Sequence, residues 1–584
     1  MIKIIQIIFI LFSLCSCTKS DRDINGLLTD AQSLIIKNYI IEQNINKIQP
    51  NIKQKFGLNL RGLKLANVNL VLEDLSNIDL SYSQISRVDF TGANFDHANL
   101  TKSMIQDSDF TDSIFSNIYA ISSDIQASIF EKTTLSNVNF KFANLDSVDF
   151  TKSNLKDIIF VESNLSKTIF DNAIINKVNF YKANAKYSSF KNTIISDSIF
   201  YATDLSNSYF NKANLNNNYN ESSDLTNSDL SDIKINNCNY VQTVMNNAKI
   251  TNASIKNSSF KSSYFKSINL LNSIIENCDF SYSKFEAIIK KVTLLSTNID
   301  SSSFYQTSIN DFNLDNVNAE NVKFNKTAIN KVKVKNSNFN NSSFIISKIS
   351  DSSFIGSTML NSKIANSEII SLTFNNVNLN KSILQNLNAT NIKFISSNLK
   401  QIGLIKSIIN NILFNNSSII NSQINNVTFN NYDFINNSTI VNNIILDTPD
   451  FTHEQIGTIS SIKELILTKN ISYMNLYGLD LSNINIANVT FDGSILNEVN
   501  FSNSKIYNTN FDNTNMNMSI ATNVDFTGSS FKNAKINFAK FDNVILNECD
   551  INNVDFLGTI IQVKSANNIK SENTKNLIQN FKFK

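Results

Sequence analysis

The chain has 584 residues, 43 of them Phe, with 11 Gly, 2 Pro, 2 His and no Trp. Lys+Arg of 51 against Asp+Glu of 49 leaves a formal net charge of +2, which excludes a strongly basic nucleic-acid binder and a strongly acidic nucleic-acid mimic as starting assumptions. A hydrophobic content of 42% excludes a disordered polar chain, and two His leave little room for histidine-based catalysis or metal binding.

The N-terminus reads MIKIIQIIFILFSLCSCTKS. Lys3 precedes an apolar run, Ile4 to Leu14, broken only by Gln6 and Ser13. The run is shorter than the roughly 20 residues a bilayer span needs and has the length of a secretory h-region. It ends in Leu14-Cys15-Ser16-Cys17. This resembles the bacterial lipobox, with Leu at −3, a small residue at −1 and Cys at +1. The resemblance implies a signal peptide over 1–16, cleavage before Cys17, and lipidation of Cys17 by acyl chains that anchor the protein in a membrane. Thr18 stands where an Asp would mark inner-membrane retention, which points to the outer membrane of a bacterial envelope.

Residues 17–57 read as the lipidated Cys, a tether and an N-terminal capping helix. Thr29-Asp30-Ala31-Gln32 fits a capping box. Ala31, Leu34, Ile35, Ile41 and Ile45 then form the apolar face of a helix to about residue 47, expected to cover the first turn of the repeats beyond it.

From residue 58 self-similarity dominates. In NVNFKFANLDSVDFTKSNL, residues 137–155, large residues fall at Phe140, Leu145, Phe150 and Leu155. Two places before each stands Val138, Ala143, Val148 or Ser153, and the remaining places are mostly polar. This period fits neither an α-helix nor a flat strand. It fits a solenoid that turns a corner with every repeat. The large residue recurs in one register from Leu60 to Phe285, with lapses at Ala120, Ala185 and Asn220. One residue is missing between Phe285 and Ile289, and the register continues one place earlier to Ile444. A further block runs from Leu476 to Ile561.

A longer period lies over the first. Phe304, Phe324 and Phe344 are equally spaced, as are Phe354, Phe374, Phe394, Phe414 and Phe434. Four short repeats per coil explain both periods: the chain returns to the same face, and like residues stack in columns. Phe then occupies two opposite faces and aliphatic residues the other two.

The repeats resemble the pentapeptide repeat family, with ANF at 93–95 and ANL at 98–100, 143–145 and 213–215. The resemblance implies an all-β solenoid, a right-handed quadrilateral parallel β-helix of about 24 coils, with the central residue and the one two places before it pointing inward. Block one spans 58–446, with its register shift near 286–289. A helical insertion occupies 447–473, where Thr452-His453-Glu454-Gln455 is another capping-box match. Block two spans 474–561, and 562–584 form a C-terminal cap and basic tail, in which Leu577, Ile578 and Phe581 suit a short amphipathic helix. Pro50 and Pro449 both lie at block edges, as an uninterrupted ladder requires.

The chemistry-bearing residues are few. Cys238, Cys278 and Cys549 each stand two before a centre and read as small buried fillers. Cys238 and Cys278 share a column two coils apart, about 9.6 Å at the strand spacing, too far for a disulfide. His97 falls on an outward position and His453 in the insertion. The early coils are acidic, and Asp89 and Asp109 share a column one coil apart. Paired carboxylates can cleave glycans, but Asp before the centre belongs to the repeat consensus. No catalytic residue, metal site or cofactor is expected, and Cys17 is the one modification site.

The resulting expectation is a non-enzymatic, envelope-anchored repeat lipoprotein acting as an extended interaction or structural scaffold. Its partner would be a protein or envelope component, with no nucleic acid and no small-molecule substrate. The alternatives are a topoisomerase inhibitor that imitates duplex DNA, as some members of the family are, and a carbohydrate-binding or carbohydrate-degrading β-helix.

Overall fold

The computed structural model describes residues 22–420, the segments 422–425, 427–429, 432–435, 440–441 and 445–447, and residues 471–472, 476–574 and 581–583. The signal segment 1–16, Cys17, Pro449 and the capping-box match at 452–455 lie outside the described residues. The chain divides into two compact units, Met1–Ser308 and Ile309–Lys584.

Both units are built from one motif, the right-handed parallel β-solenoid, in about 22 turns in total, against about 24 counted from the repeats. Residues twenty apart pair in parallel: Leu65 opposite Ile85, Ile85 opposite Ile105, and in the second unit Ile349 opposite Ile369. Backbone groups are used between coils, as when Leu100 N–H donates to Tyr119 O at 2.7 Å and Asn99 N–H to Ile78 O at 2.9 Å. The ladder spacing is that of any parallel sheet, and it sets the column repeat.

Side chains at the centre and two places before it are buried along both units. The large ones stack. Phe150, Phe170 and Phe190 form one column, with ring centroids 5.2 and 4.8 Å apart and planes within 9°. Phe160, Phe180 and Phe200 form another, at 5.3 and 4.4 Å. The two columns meet edge to face, as Phe170 does Phe180 at 6.1 Å and 87°, so opposite faces of the coil fill the core between them. In the second unit the column Phe354, Phe374, Phe394, Phe414 stacks at 5.2–5.6 Å. Each such pair adds about 0.5–1.5 kcal/mol beyond area burial.

The inward small position accepts Ser and Thr because the backbone offers a partner. Ser103, Ser113 and Ser123 each donate Oγ–H to the carbonyl of the preceding centre, at 2.7, 2.6 and 2.7 Å. A hydroxyl thereby replaces the consensus methyl without leaving a buried donor unpaired.

The corner is the second device. The residue two places after nearly every centre has φ between about +45° and +63°, in the left-handed region. Glycine is scarce, and Asn is the commonest substitute. Asn207, Asn227 and Asn247 hold φ of 60°, 60° and 56°. Their amides form a ladder, Asn227 Nδ2 donating to Asn207 Oδ1 at 3.1 Å and Asn247 to Asn227 at 3.0 Å. Asn tolerates this conformation better than most residues, and the ladder gives its amide partners.

The register shift lies within the strand Lys284–Leu295. Glu286 pairs with Lys266 and Ala287 with Ile268, so Ser267 is passed over. Ala287 and Ile289 both point inward, and the column resumes one place earlier.

The open N-terminal edge is covered by α1, Asp30–Ile45, and α2, Ile52–Phe56. Thr29 caps α1, accepting from Gln32 N–H at 3.3 Å. The expected apolar face does not pack on the coil: Leu34, Ile35, Ile41 and Ile45 are exposed, and Ser33, Ile36 and Ile40 are buried instead. The reason is the edge itself, which presents unpaired backbone groups. Ser33 Oγ accepts from Lys64 N–H at 3.0 Å, and Asn44 Nδ2 donates to Asn69 O at 2.8 Å. Only the face carrying these polar groups can satisfy the edge.

The cap helix α2 is an element the sequence pattern does not announce. Its first N–H, at Ile52, donates to Glu73 Oε1 at 2.7 Å, and Gln49 Nε2 donates to Oε2 at 3.0 Å. Glu73 occupies an inward small position, where it fits because the cap, rather than another coil, lies beside it. Beyond the last repeats, Phe581–Phe583 pairs in parallel with Ile561–Val563. The ladder extends to a segment expected to be helical.

Two substitutions probe these devices. Ile346, β-branched and exposed, sits at a corner with φ 53°, between Lys326 and Asn366 in its column. Ile346→Asn puts a residue that tolerates the left-handed region where most L-residues pay about 1–2 kcal/mol, and it continues the Asn366–Asn386 ladder. It should raise the thermal midpoint, read by circular dichroism. Burial raises the Glu73 carboxyl above its ordinary 4.5 despite the opposing bonds from Ile52 and Gln49. The folded state therefore binds this proton more readily than the unfolded chain. Its contribution to stability is complete below pH 4.5 and is lost as pH rises from there through the raised folded value. Glu73→Gln keeps an acceptor and removes the ionisation, so protection of Ile52 N–H from hydrogen exchange should increase at neutral pH and lose that pH dependence.

Candidate functional site

The residues singled out for chemistry are dispersed. His97 is exposed and pairs only with its neighbour, Nδ1 lying 2.9 Å from Asp96 Oδ1. Cys238, Cys278 and Cys549 are free and buried. Cys238 Sγ lies 3.3 Å from Asn236 O and Cys549 Sγ 3.0 Å from Phe526 O, each within the core. Burial pushes their thiols up to about 11, 11 and 12. Among the described residues no group of three His, Cys, Asp or Glu gathers as a metal site would require.

The acidic early coils resolve into turn caps. Asp89 Oδ1 accepts from Thr91 N–H at 2.9 Å and from Thr91 Oγ1–H at 2.6 Å. Asp109 repeats this with Thr111 at 2.8 and 2.6 Å, and Asp149 with Thr151 at 2.8 and 2.5 Å. Each carboxylate is committed to closing the next corner, a local bond typical of Asp and Asn at turns. Asp74 belongs to the cap, held by Lys53 Nζ at 2.5 Å. The lysine holds that carboxyl below its ordinary range.

Two small spaces lie in the core among the described residues. One of about 20 Å³ is lined by apolar side chains such as Phe312, Phe324 and Phe354. Another, of about 10 Å³, lies where Asn220 replaces a large centre beside Phe200 and Tyr240. Asn220 Nδ2 has no partner there. The space approaches that of a single water.

What remains is surface. On one face of the first unit, three tyrosines stack outside the core: Tyr181 on Tyr201 at 5.6 Å and 7°, and Tyr201 on Tyr219 at 6.1 Å and 11°. The Tyr219 hydroxyl is hydrogen-bonded to Glu221. Ile159, Ile199, Phe142 and Tyr119 are exposed along neighbouring columns of that face. This unit thus carries an aromatic and aliphatic stripe on a rigid ladder. Sequence reasoning misses it when only inward columns are followed. Reading outward positions at the coil period finds it. In the second unit Lys323, Lys331, Lys333 and Lys335 are exposed within one coil, so the near-neutral total charge averages over unlike segments.

The family model for pentapeptide repeats matches this chain in eight copies, over residues 59–96, 79–117, 122–157, 480–517 and 510–547. Among solved structures the chain is similar to HetL, a pentapeptide repeat protein involved in heterocyst differentiation regulation from the cyanobacterium Nostoc sp. strain PCC 7120. The identity is 17%, over 37% of this chain and 86% of that one, with a TM-score of 0.24. Rfr23, a pentapeptide repeat protein from the cyanobacterium Cyanothece 51142, is 18% identical over 20% of this chain and 96% of its own, with a TM-score of 0.14. QnrB1, a plasmid-mediated fluoroquinolone resistance protein, is 16% identical over 32% and 90%, with a TM-score of 0.18. No curated protein matches the chain. The matched repeats cover part of the chain, and the same parallel coil geometry continues between them, as in the strands from Lys323 to Asn415.

Because the three thiols are buried and shifted upward, they should resist alkylation of the native protein at about pH 8, close to where a free thiol ionises. All three should react once the solenoid is unfolded in guanidinium, as intact-mass analysis would count. Modification of any of them in the native state would contradict their placement in the core.

Proposed function

We propose that this protein is an envelope-anchored lipoprotein whose pentapeptide repeat solenoid serves as a non-enzymatic interaction scaffold. The observation that carries the address is the motif Leu14-Cys15-Ser16-Cys17 at the end of the apolar run Ile4 to Leu14. A lipid on Cys17 would hold the solenoid by its N-terminal side. Two features support the scaffold role. The column-sharing carboxylates Asp89 and Asp109 are bound into corners. The stripe around Tyr181, Tyr201 and Tyr219 offers the amphipathic side chains that are enriched at protein interfaces. A rigid solenoid presents such residues without ordering them on binding, which favours recognition over wide surfaces.

The test is fractionation of cells producing the wild type or Cys17→Ser, with protease added to intact cells. The wild type should sit in the membrane fraction and be digested from outside, and Cys17→Ser should be released as soluble protein. A wild type found soluble in the cytoplasm with an uncleaved N-terminus overturns this reading. That result would return the alternative of an intracellular target such as a topoisomerase.

A further inference from the structure

The helix α1 carries two apolar faces on opposite sides. One, Ile36 and Ile40 flanked by Ser33, covers the first coil. The other holds Ala31, Leu34, Ile35, Ile41 and Ile45, at the spacing of a single helical stripe. All five are exposed, Leu34 by 56% and Ile45 by 74%. Ile48, just beyond the helix, is 55% exposed. Only Asn38 and Glu42 interrupt the stripe. A cap needs one apolar face to close a solenoid, and this one carries a second that none of the described residues buries.

The chain leading into the cap narrows what can cover it. Arg22 is docked, its Nη1 donating to Gly26 O at 2.8 Å and its Nη2 to Asn59 O at 2.5 Å, with a backbone bridge to Leu28. The chain is therefore fixed to the first coil from Arg22 onward. From Cys17 to Arg22 the chain can extend at most about 18 Å. On the reading that Cys17 is lipidated, on which this step rests, a bilayer surface lies within that distance of Arg22, eight residues before α1.

We propose that the outward face of α1 is a membrane contact. The helix lies against the lipid surface with Leu34, Ile35, Ile41 and Ile45 at the headgroup and acyl boundary. The lipid on Cys17 supplies attachment, and α1 supplies orientation, as interfacial helices do when one apolar face meets a bilayer. The lipid holds the chain at the surface, and the short tether raises the effective concentration of α1 there, so a weak helix contact suffices. The solenoid is then held at a fixed attitude rather than swinging from a flexible leash.

The test places a polarity-sensitive fluorophore on Asn38→Cys in the lipidated full-length protein, reconstituted in phosphatidylethanolamine–phosphatidylglycerol vesicles. The three core thiols are buried, so labelling is confined to the new site. The emission should shift to the blue with a several-fold gain in intensity, and brominated lipids should quench it. Leu34→Glu with Ile41→Glu should abolish the shift while the protein stays on the vesicles through Cys17. Leu34→Ser with Ile45→Ser is the milder pair, and circular dichroism checks that the solenoid is intact in each. Water-like emission from protein that remains bound through Cys17 overturns this inference and leaves the anchor standing. A concentration-dependent shift without vesicles overturns it in favour of a second copy of the chain on this face. Membrane binding and blue shift that both survive Cys17→Ser in protein lacking residues 1–16 would remove the anchor reading and retain the helix contact.

Discussion

The fold rests on a backbone conformation that most residues avoid. A coil closes into four sides only if one residue at each corner turns into the left-handed region, and nearly every such residue here does so. Glycine would meet this requirement without side-chain strain, yet the chain has 11. Asn meets it at smaller cost than other L-residues and gains a partner that glycine lacks, its own copy one coil away. In the second unit Asn523 donates to Asn503 at 3.1 Å and Asn543 to Asn523 at 2.7 Å. The Asn-rich composition is therefore a structural property. It supplies both the corner and the outer hydrogen-bonded seam that keeps corners in line.

Once the corners fix the coil length, the rest is forced. Twenty residues return each side chain to its column, so a Phe meets a Phe and the rings stack at ladder spacing. The small inward place must stay small because a large neighbour fills the same layer. It can be Ser because the carbonyl of the preceding centre lies within reach of its hydroxyl. Loss of one residue near Glu286 is absorbed by passing over Ser267, since a ladder bulge costs less than moving every later column out of the core.

Inward positions are legible in the sequence for this reason: they obey one rule repeated along the chain. Phe304, Phe324 and Phe344 announce their column by spacing alone. The α1 face misleads because hydrophobicity is blind to what an open ladder edge demands. Ser33 and Asn44 look like the polar side of the helix, and they are the side that pairs with the coil. Glu73 reads as one more carboxylate of the acidic early coils, whereas it lies inside, beneath α2. The tyrosine stripe is legible in principle, since Tyr181 and Tyr201 stand one coil apart. It escapes notice because outward columns tolerate most residues and so give little contrast. Cys17 lies outside the described residues, and its role rests on the motif around it.

The two sides of the cap separate stability from address. A solenoid must block its first edge or it will template another chain, and α1 does this with hydrogen bonds at its ends and two isoleucines between. That task uses about half the helix circumference. Nothing in it requires Leu34 or Ile45 to be apolar, and solubility alone would favour polar residues at both. An apolar outer stripe therefore asks for a second explanation that the solenoid cannot supply. It begins at Ala31, 14 residues after the proposed lipid attachment point and on a cap whose docked entry, Arg22, lies five residues from that point, where a second apolar surface can meet a membrane. The same helix can thus close the protein on one face and orient it on the other, because a helix buries its residues by face.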